Sequence, residues 1–198
     1  SATPQPPPKS AATTTAIVRA ARSLPHELTS DEREYRVVLW EQPFMEGIDP
    51  DRIGWGEMTI DVRRGIAYIP LGSPTYDFYG ADRKGNNLYA NSLIALDANT
   101  GKLKWFQQLV HHDLWDWDLP AAPALIDVTI GGRKVAAVAQ ITKMSTLFIF
   151  DRMNGKPLFG LEERPVPQSE LPGEATSATQ PFPLQPPPLS RTTFDPAT

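Results

Sequence analysis

One stretch is written twice in this chain, and its reading decides the fold. SLIALDANTGKLKW, Ser92 to Trp105, aligns without a gap on TLFIFDRMNGKPLF, Thr146 to Phe159. Asp97 meets Asp151, Gly101 meets Gly155 and Lys102 meets Lys156. Each copy is an apolar run, an aspartate, a turn closed by Gly-Lys, and a second run ending on an aromatic. Branched and aromatic residues suit pleated strands, and Gly or Asn accept the positive φ of tight turns. Each copy therefore reads as two strands and a hairpin. The copies lie a little further apart than the roughly 40–50 residues of a four-stranded propeller blade. The long loop from Gly72 to Asn91 absorbs the excess. In this reading the turn pins the last two strands of a blade, and the aromatic packs between blades. The simpler alternative is a chance likeness of two hairpins.

Outward from the repeat, further short runs end in turn signals. Strands are predicted at EMTID (57–61), GIAYIPL (65–71), SLIALD (92–97), KLKWFQQ (102–108), APALIDV (122–128), KVAAVAQ (134–140) and TLFIFD (146–151). RRG, ANTGK, GGRK and RMNGK supply the turns. Helical periodicity is weak, so the fold class is all-β, part of a β-propeller. The flanks differ. SATPQPPPKS opens the chain as a flexible or polyproline arm, and LTSDERE could begin a short helix capped by Thr29 or Ser30. Residues 161–198 are rich in proline and include QPPPL, which predicts a loop or tail with no regular strand or helix. The expected organisation is an irregular segment 1–50, two to three blades over 51–160, and the Pro-rich segment 161–198.

Composition narrows the function. The chain has 198 residues, a net charge of −4 and no cysteine. Without a basic stripe, nucleic acid is not an expected partner. Without cysteine there are no disulfides, thiolate metal sites or thiol nucleophiles. No apolar run approaches the roughly 20 residues of a membrane helix. AIVRAAR, Ala16 to Arg22, is too short and too charged for a signal core.

The chemistry concentrates in HHDLWDWD, His111 to Asp118. Tryptophan is costly to expose and aspartate costly to bury, so dense interleaving of the two points to a built loop. The expectation is a loop at a strand end facing the central channel, anchored by its tryptophans, with its aspartates projecting to ligand and water. Neighbouring histidines on a strand point to opposite faces, so His111 and His112 are not expected to share an ion; one is read as a structural hydrogen-bonding group. Asp113, Asp118 and Trp117 are read as loop scaffolding, Trp115 and Trp105 as packing residues. Trp55 stands between Gly54 and Gly56, where a flat ligand could approach an indole face.

ALDANTGKLKW, Ala95 to Trp105, resembles the tryptophan-docking motif of the PQQ-dependent quinoprotein dehydrogenases. HHDLWDWDLPAAP looks like the active-site segment of that family, in its glucose-dehydrogenase-like branch, and so do YIPLGSPTYDFYGADRKGNNLYANSLIALD and QPFPLQPPPLSR. The resemblance covers roughly residues 52 to 192. It implies an eight-bladed propeller holding pyrroloquinoline quinone (PQQ) and a divalent ion, Ca²⁺ or Mg²⁺. It implies hydride transfer from a sugar or alcohol, glucose-like by preference, to the quinone. Asp116 matches the aspartate base and a metal ligand. Lys143 matches the cation on the quinone oxygens, and Trp55 the floor beneath its ring. Ser73 falls where many members have an asparagine metal ligand, and a serine oxygen is a shorter, weaker ligand. The acceptor implied is a respiratory quinone or cytochrome, and the compartment the periplasm.

Eight blades at about 45 residues each need roughly 350 residues or more, so the chain is expected to be a piece of such an enzyme. Open propeller edges predict self-association. A propeller acting as a scaffold or binding module without catalysis is the rival expectation. The trio Trp55, Asp116 and Lys143 separates the two, because a scaffold has no use for all three in register.

Overall fold

A computed structural model describes residues 57–74 and 78–191. Trp55, the segment 1–50 and the expected LTSDERE helix lie outside those residues. Nine strands are described: β1 (Thr59–Asp61), β2 (Ile66–Pro70), β3 (Ser92–Asp97), β4 (Leu103–Gln108), β5 (Ala124–Ile130), β6 (Arg133–Ile141), β7 (Leu147–Asp151), β8 (Leu161–Pro165) and β9 (Thr179–Pro183). They form three antiparallel sheets in the orders β1-β2-β3-β4, β5-β6-β7 and β8-β9. The first sheet is a four-stranded meander of the blade type. A single bridge, Phe150 to Pro157, marks where the second sheet begins a fourth strand. All seven predicted strands are present, with ends shifted by no more than two residues.

Burial explains the apolar runs. β2 and the first five residues of β3 are buried on both faces. Residues two apart share a face. Ile66, Tyr68, Leu93 and Ala95 face the second sheet and pack with Val138, Phe148 and Phe150. Ile69, Leu71, Ile94 and Leu96 form a separate cluster with Ile60, Leu103 and Phe106. One cluster thus joins the two sheets face to face, and the other lies on the opposite face of the first.

The repeat is a repeat in space. Asp97 Oδ1 accepts the amides of Asn99 and Thr100 at 3.0 Å. Asp151 Oδ1 accepts those of Met153 and Asn154 at 2.8 and 3.3 Å. Gly101 and Gly155 both close their turns at φ 70°. Burial opposes ionisation of Asp97, but the amides and the Thr100 hydroxyl outweigh it and hold its carboxyl below the ordinary range.

Trp105 joins the sheets as the aromatic of the repeat is expected to. Its Nε1 donates to the Arg152 carbonyl at 3.0 Å, and its ring lies on Gly155. A Cβ on Gly155 would stand 2.6 Å from Trp105 ring carbons, and its backbone is left-handed as well. Gly155→Ala is expected to cost about 1–3 kcal/mol through overpacking and backbone strain. Urea unfolding checks it, with Gly85→Ala as the control: Gly85 shares the positive φ with nothing near its would-be Cβ.

The Pro-rich segment corrects the prediction of no regular strand within 161–198. β8 and β9 pair from Leu161↔Pro183 to Pro165↔Thr179. The bonds Leu184 N–H to Gly160 O and Val166 N–H to Ala178 O lie just beyond the ends of the ladder. Antiparallel pairs alternate between bonded and non-bonded. Counting inward from those bonds puts Pro165, Pro181 and Pro183 all at non-bonded pairs, so their missing N–H groups cost the ladder nothing. Proline breaks a ladder where its N–H is needed; at the non-bonded positions of a two-stranded ribbon it does not.

Candidate active site

The loop 109–123 leaves β4 and returns to β5, and its shape is set by Asp113. That carboxylate is fully buried. Its Oδ1 accepts the Trp115 amide at 2.9 Å, and its Oδ2 accepts the Trp117 amide at 2.7 Å. The Ser73 hydroxyl donates to the same Oδ2 at 2.6 Å, and Asn91 Nδ2 at 2.8 Å. Asn91 Nδ2 also lies 2.9 Å from the Trp117 carbonyl. Four groups from three segments therefore converge on one buried anion, as a buried carboxylate requires.

The anchoring corrects the expectation made for the tryptophans. Leu114 and Leu119 are the buried apolar anchors of the loop. Trp115 and Trp117 are half-buried and stack on each other, ring centroids 4.4 Å apart at 25°. The aspartates do not all project outward either: Asp113 and Asp118 are buried. Asp116 keeps 32% of its side chain exposed. Asp116 and His112 both have positive φ, 57° and 46°. A non-glycine residue in that region stores strain, which the surrounding bonds must hold.

Both histidines are hydrogen-bonded into structure. His112 Nδ1 lies 2.6 Å from the Gly85 carbonyl. The His111 ring spans Gln108 Oε1 at 2.8 Å and Glu163 Oε1 at 3.1 Å. Gly80 lets the loop 78–91 close on them, since a Cβ there would overlap Leu114 and His112.

Lys143 reaches this loop from beyond the end of β6. Its ammonium donates to the Asp116 carbonyl at 2.9 Å, to Asp116 Oδ2 at 3.0 Å and to Asp118 Oδ2 at 2.7 Å. Asp118 Oδ1 accepts the Ser73 amide at 2.7 Å. Burial opposes the charge on Asp118, but Lys143 and the Ser73 amide outweigh it and hold its carboxyl low. Burial and the neighbouring Asp118 charge push Asp116 up, with Lys143 offsetting part of the rise. The two carboxylates hold Lys143 above the usual ammonium range against the opposing effect of its burial. The result is one fixed anion, one fixed cation and one partly exposed carboxylate raised toward proton acceptance.

Of the four sequence-predicted site residues, Asp116, Lys143 and Ser73 come together here, and Trp55 lies outside the described residues. The residues that reasoning from sequence undervalued are Asn91 and Asp113. Asn91 sits at the mouth of β3 with φ 48° and no exposure. Its only sequence signal is a polar residue abutting an apolar strand, which is also the mark of an ordinary turn.

The family model described as "PQQ: Glucose/ethanol/alcohol dehydrogenase, beta-propeller domain" matches residues 41–197. The chain belongs to this family. Among quinoproteins it is 43% identical over 129 residues to the quinoprotein glucose dehydrogenase of Escherichia coli (strain K12), covering 65% of this chain and 16% of that protein. It is 46% identical over 130 residues to the enzyme of the same name from Gluconobacter oxydans (strain 621H), with the same coverage. It is 38% identical over 142 residues to the quinate/shikimate dehydrogenase (quinone) of Acinetobacter baylyi, covering 71% of this chain and 18% of that protein. The chain thus spans under a fifth of the length of these quinoproteins. The solved quinohemoprotein alcohol dehydrogenase of Comamonas testosteroni superposes with a TM-score of 0.51 at 26% identity, over 73% of this chain and 22% of that one. The resemblance read from the docking motif and HHDLWDWD is borne out, and so is the partial propeller.

Proposed function

We propose that this chain supplies the base and the cofactor-facing cation of a PQQ-dependent dehydrogenase that oxidises a sugar or alcohol, glucose-like by preference. The observation that carries the proposal is the Lys143 ammonium set between Asp116 and Asp118, in a chain of the quinoprotein family. Asp116 is the only one of the three loop aspartates with an appreciably exposed carboxylate, and its raised affinity for protons suits a general base. It would take the substrate hydroxyl proton. Asp118, buried and ionised, keeps Lys143 charged and in place beside it.

The residues fit PQQ in one respect that can be read directly: an anionic quinone needs a fixed cation, and Lys143 is one, with 36% of its side chain open. All three of its protons are spent on Asp116 and Asp118, so it would exchange one of these bonds to meet the cofactor. When bound, the quinone supplies the hydride acceptor and a divalent ion, Ca²⁺ or Mg²⁺, the polarising charge. Asp116 would ligate the ion. Ser73, whose hydroxyl proton goes to Asp113, would offer the ion an oxygen lone pair. Among the described residues no cluster of three or more acidic or histidine ligands exists. A hard cation takes several oxygens, so the described donors alone do not make its site. Trp55 remains the proposed face beneath the quinone. The proposed acceptor is a respiratory quinone or cytochrome, the proposed compartment the periplasm, and free sheet edges are proposed to favour self-association.

The test is a titration of the chain with PQQ, with and without Ca²⁺, followed by tryptophan fluorescence. Saturable quenching is expected. Lys143→Ala should weaken affinity roughly 10-fold or more, the scale of a lost bond to a charged group, and Lys143→Arg should retain most of it. Equal affinity for the Ala and Arg variants would contradict the role of Lys143.

A further inference from the structure

β8 and β9 belong to neither blade sheet, yet β9 buries a glutamine. Gln180 is 4% exposed, and both ends of its amide are given to the backbone of a single residue. Its Oε1 accepts the His111 N–H at 2.7 Å, and its Nε2 donates to the His111 carbonyl at 2.7 Å. His111 is the first residue of HHDLWDWD. A donor and an acceptor paired to the N–H and C=O of one residue fix its position and its orientation together, as a neighbouring strand would. From β8, Glu163 meets the ring of the same histidine at 3.1 Å.

The connection between β8 and β9 grips the other side. Glu174 Oε1 accepts the Gly80 amide at 3.0 Å, and the Tyr79 hydroxyl donates to the Pro172 carbonyl at 3.1 Å. Ser169 bonds the second oxygen of Glu174 and sets its direction. The loop so held leads to Arg83, whose Nη2 donates to the Asp113 carbonyl at 2.7 Å, and to Asn86, whose carbonyl accepts the His112 amide at 3.2 Å. Both routes end on the loop that carries two residues with positive φ. Such backbone persists only where its surroundings over-determine it.

We propose that the β8–β9 hairpin is a brace for the Asp116 loop, with Gln180 and Glu163 as its positioning residues; the consequence for catalysis rests on the role proposed above for Asp116. The brace acts on the backbone of His111 through Gln180 and on its ring through Glu163, and touches no reacting atom. It keeps the loop that carries Asp116 in place beside Lys143 while the cofactor and substrate come and go.

The test uses the 198-residue chain. Gln180→Met removes both polar atoms at similar volume. Glu163→Ala removes the outer contact from a half-exposed site. Amide hydrogen exchange is read at Trp115 and Trp117, whose N–H groups Asp113 accepts, and at β2 and β3. Gln180→Met is expected to speed exchange at the two tryptophans by roughly 10-fold or more, the scale of a lost buried bond, and leave β2 and β3 unchanged. Glu163→Ala is expected to do the same more weakly, and it decides the matter if the methionine variant does not fold. PQQ affinity, read by fluorescence, should fall in step with the loosening. Unchanged exchange at both tryptophans, or equal acceleration everywhere, overturns the brace. A loosened loop with unaltered PQQ affinity overturns its part in positioning. An unaltered chain that binds no PQQ speaks against the proposed function, and the exchange pattern still decides the brace.

Discussion

Arg152→Ala is expected to destabilise the chain by about 3–5 kcal/mol, the scale of a broken buried ion pair; Arg64 stays on Asp61 at 2.9 Å, but the Ala137 and Ile126 carbonyls also lose their Arg152 donors. Arg152 lies in the RMNGK turn, and 7% of its side chain is exposed. Its Nη1 meets Asp61 Oδ2 at 3.1 Å, and that carboxylate is 4% exposed. Its Nε donates to the Ala137 carbonyl at 2.8 Å and its Nη2 to the Ile126 carbonyl at 2.9 Å. One guanidinium therefore ties β1 of the first sheet to β5 and β6 of the second. Its own carbonyl accepts the Tyr68 hydroxyl at 2.9 Å and the Trp105 indole at 3.0 Å. Burial and the Asp61 charge push the Tyr68 phenol far above its ordinary range, so it remains a donor at any working pH. Urea unfolding measures the loss. A paired Asp61→Leu, Arg152→Met chain should recover much of it, because both charges are then gone. A loss under about 1 kcal/mol for Arg152→Ala, the scale of an exposed pair, would show that the turn is not the joint between the sheets.

Asp116→Asn is expected to lower kcat by about 10²- to 10⁴-fold in dye-linked oxidation with PQQ and Ca²⁺ present, the range for losing a positioned base. The assay belongs in the whole protein that carries this segment, with glucose and a panel of other sugars and alcohols. An asparagine keeps the volume and one of the contacts to Lys143 but cannot take a proton. Folding should be little affected, since the carboxylate is partly exposed and Asp118 still holds the lysine. Activity within a few-fold of the unaltered enzyme would remove Asp116 from the proposed role.

The architecture was legible because its signals are local. Asp97 and Asp151 announce their turns, Gly101 and Gly155 close them, and the apolar runs between turn signals are the strands. The aromatic of the repeat packs between sheets in one copy only: Trp105 is buried, whereas Phe159, at the same place in the second copy, is exposed. The hairpin β8–β9 was not legible, because proline content was read without knowing the pairing parity. Residues 160 and 184 supply that parity only once the strands are paired. The site was legible in its chemistry and not in its supports. Asp116 and Lys143 are 27 residues apart and were found through the resemblance. Asn91 and Gln180 act through bonds to backbone 26 and 69 residues away, and Asp113 is tied to the side chains of Asn91 and Ser73 across 22 and 40 residues. Such partners leave no period. The tryptophans differ for a related reason: hydrophobicity argues for burial in the core, whereas Trp115 and Trp117 stay half-buried and stack on each other.

The most direct test of the central claim is a crystal structure of the chain grown with PQQ and Ca²⁺. The account predicts PQQ on the open side of Lys143, with Nζ within hydrogen-bond distance of the quinone oxygens, Asp118 still bound to the lysine, and the Asp116 carboxylate turned toward the ion. PQQ bound away from Lys143, or Lys143 still closed on both carboxylates beside a bound cofactor, would contradict it.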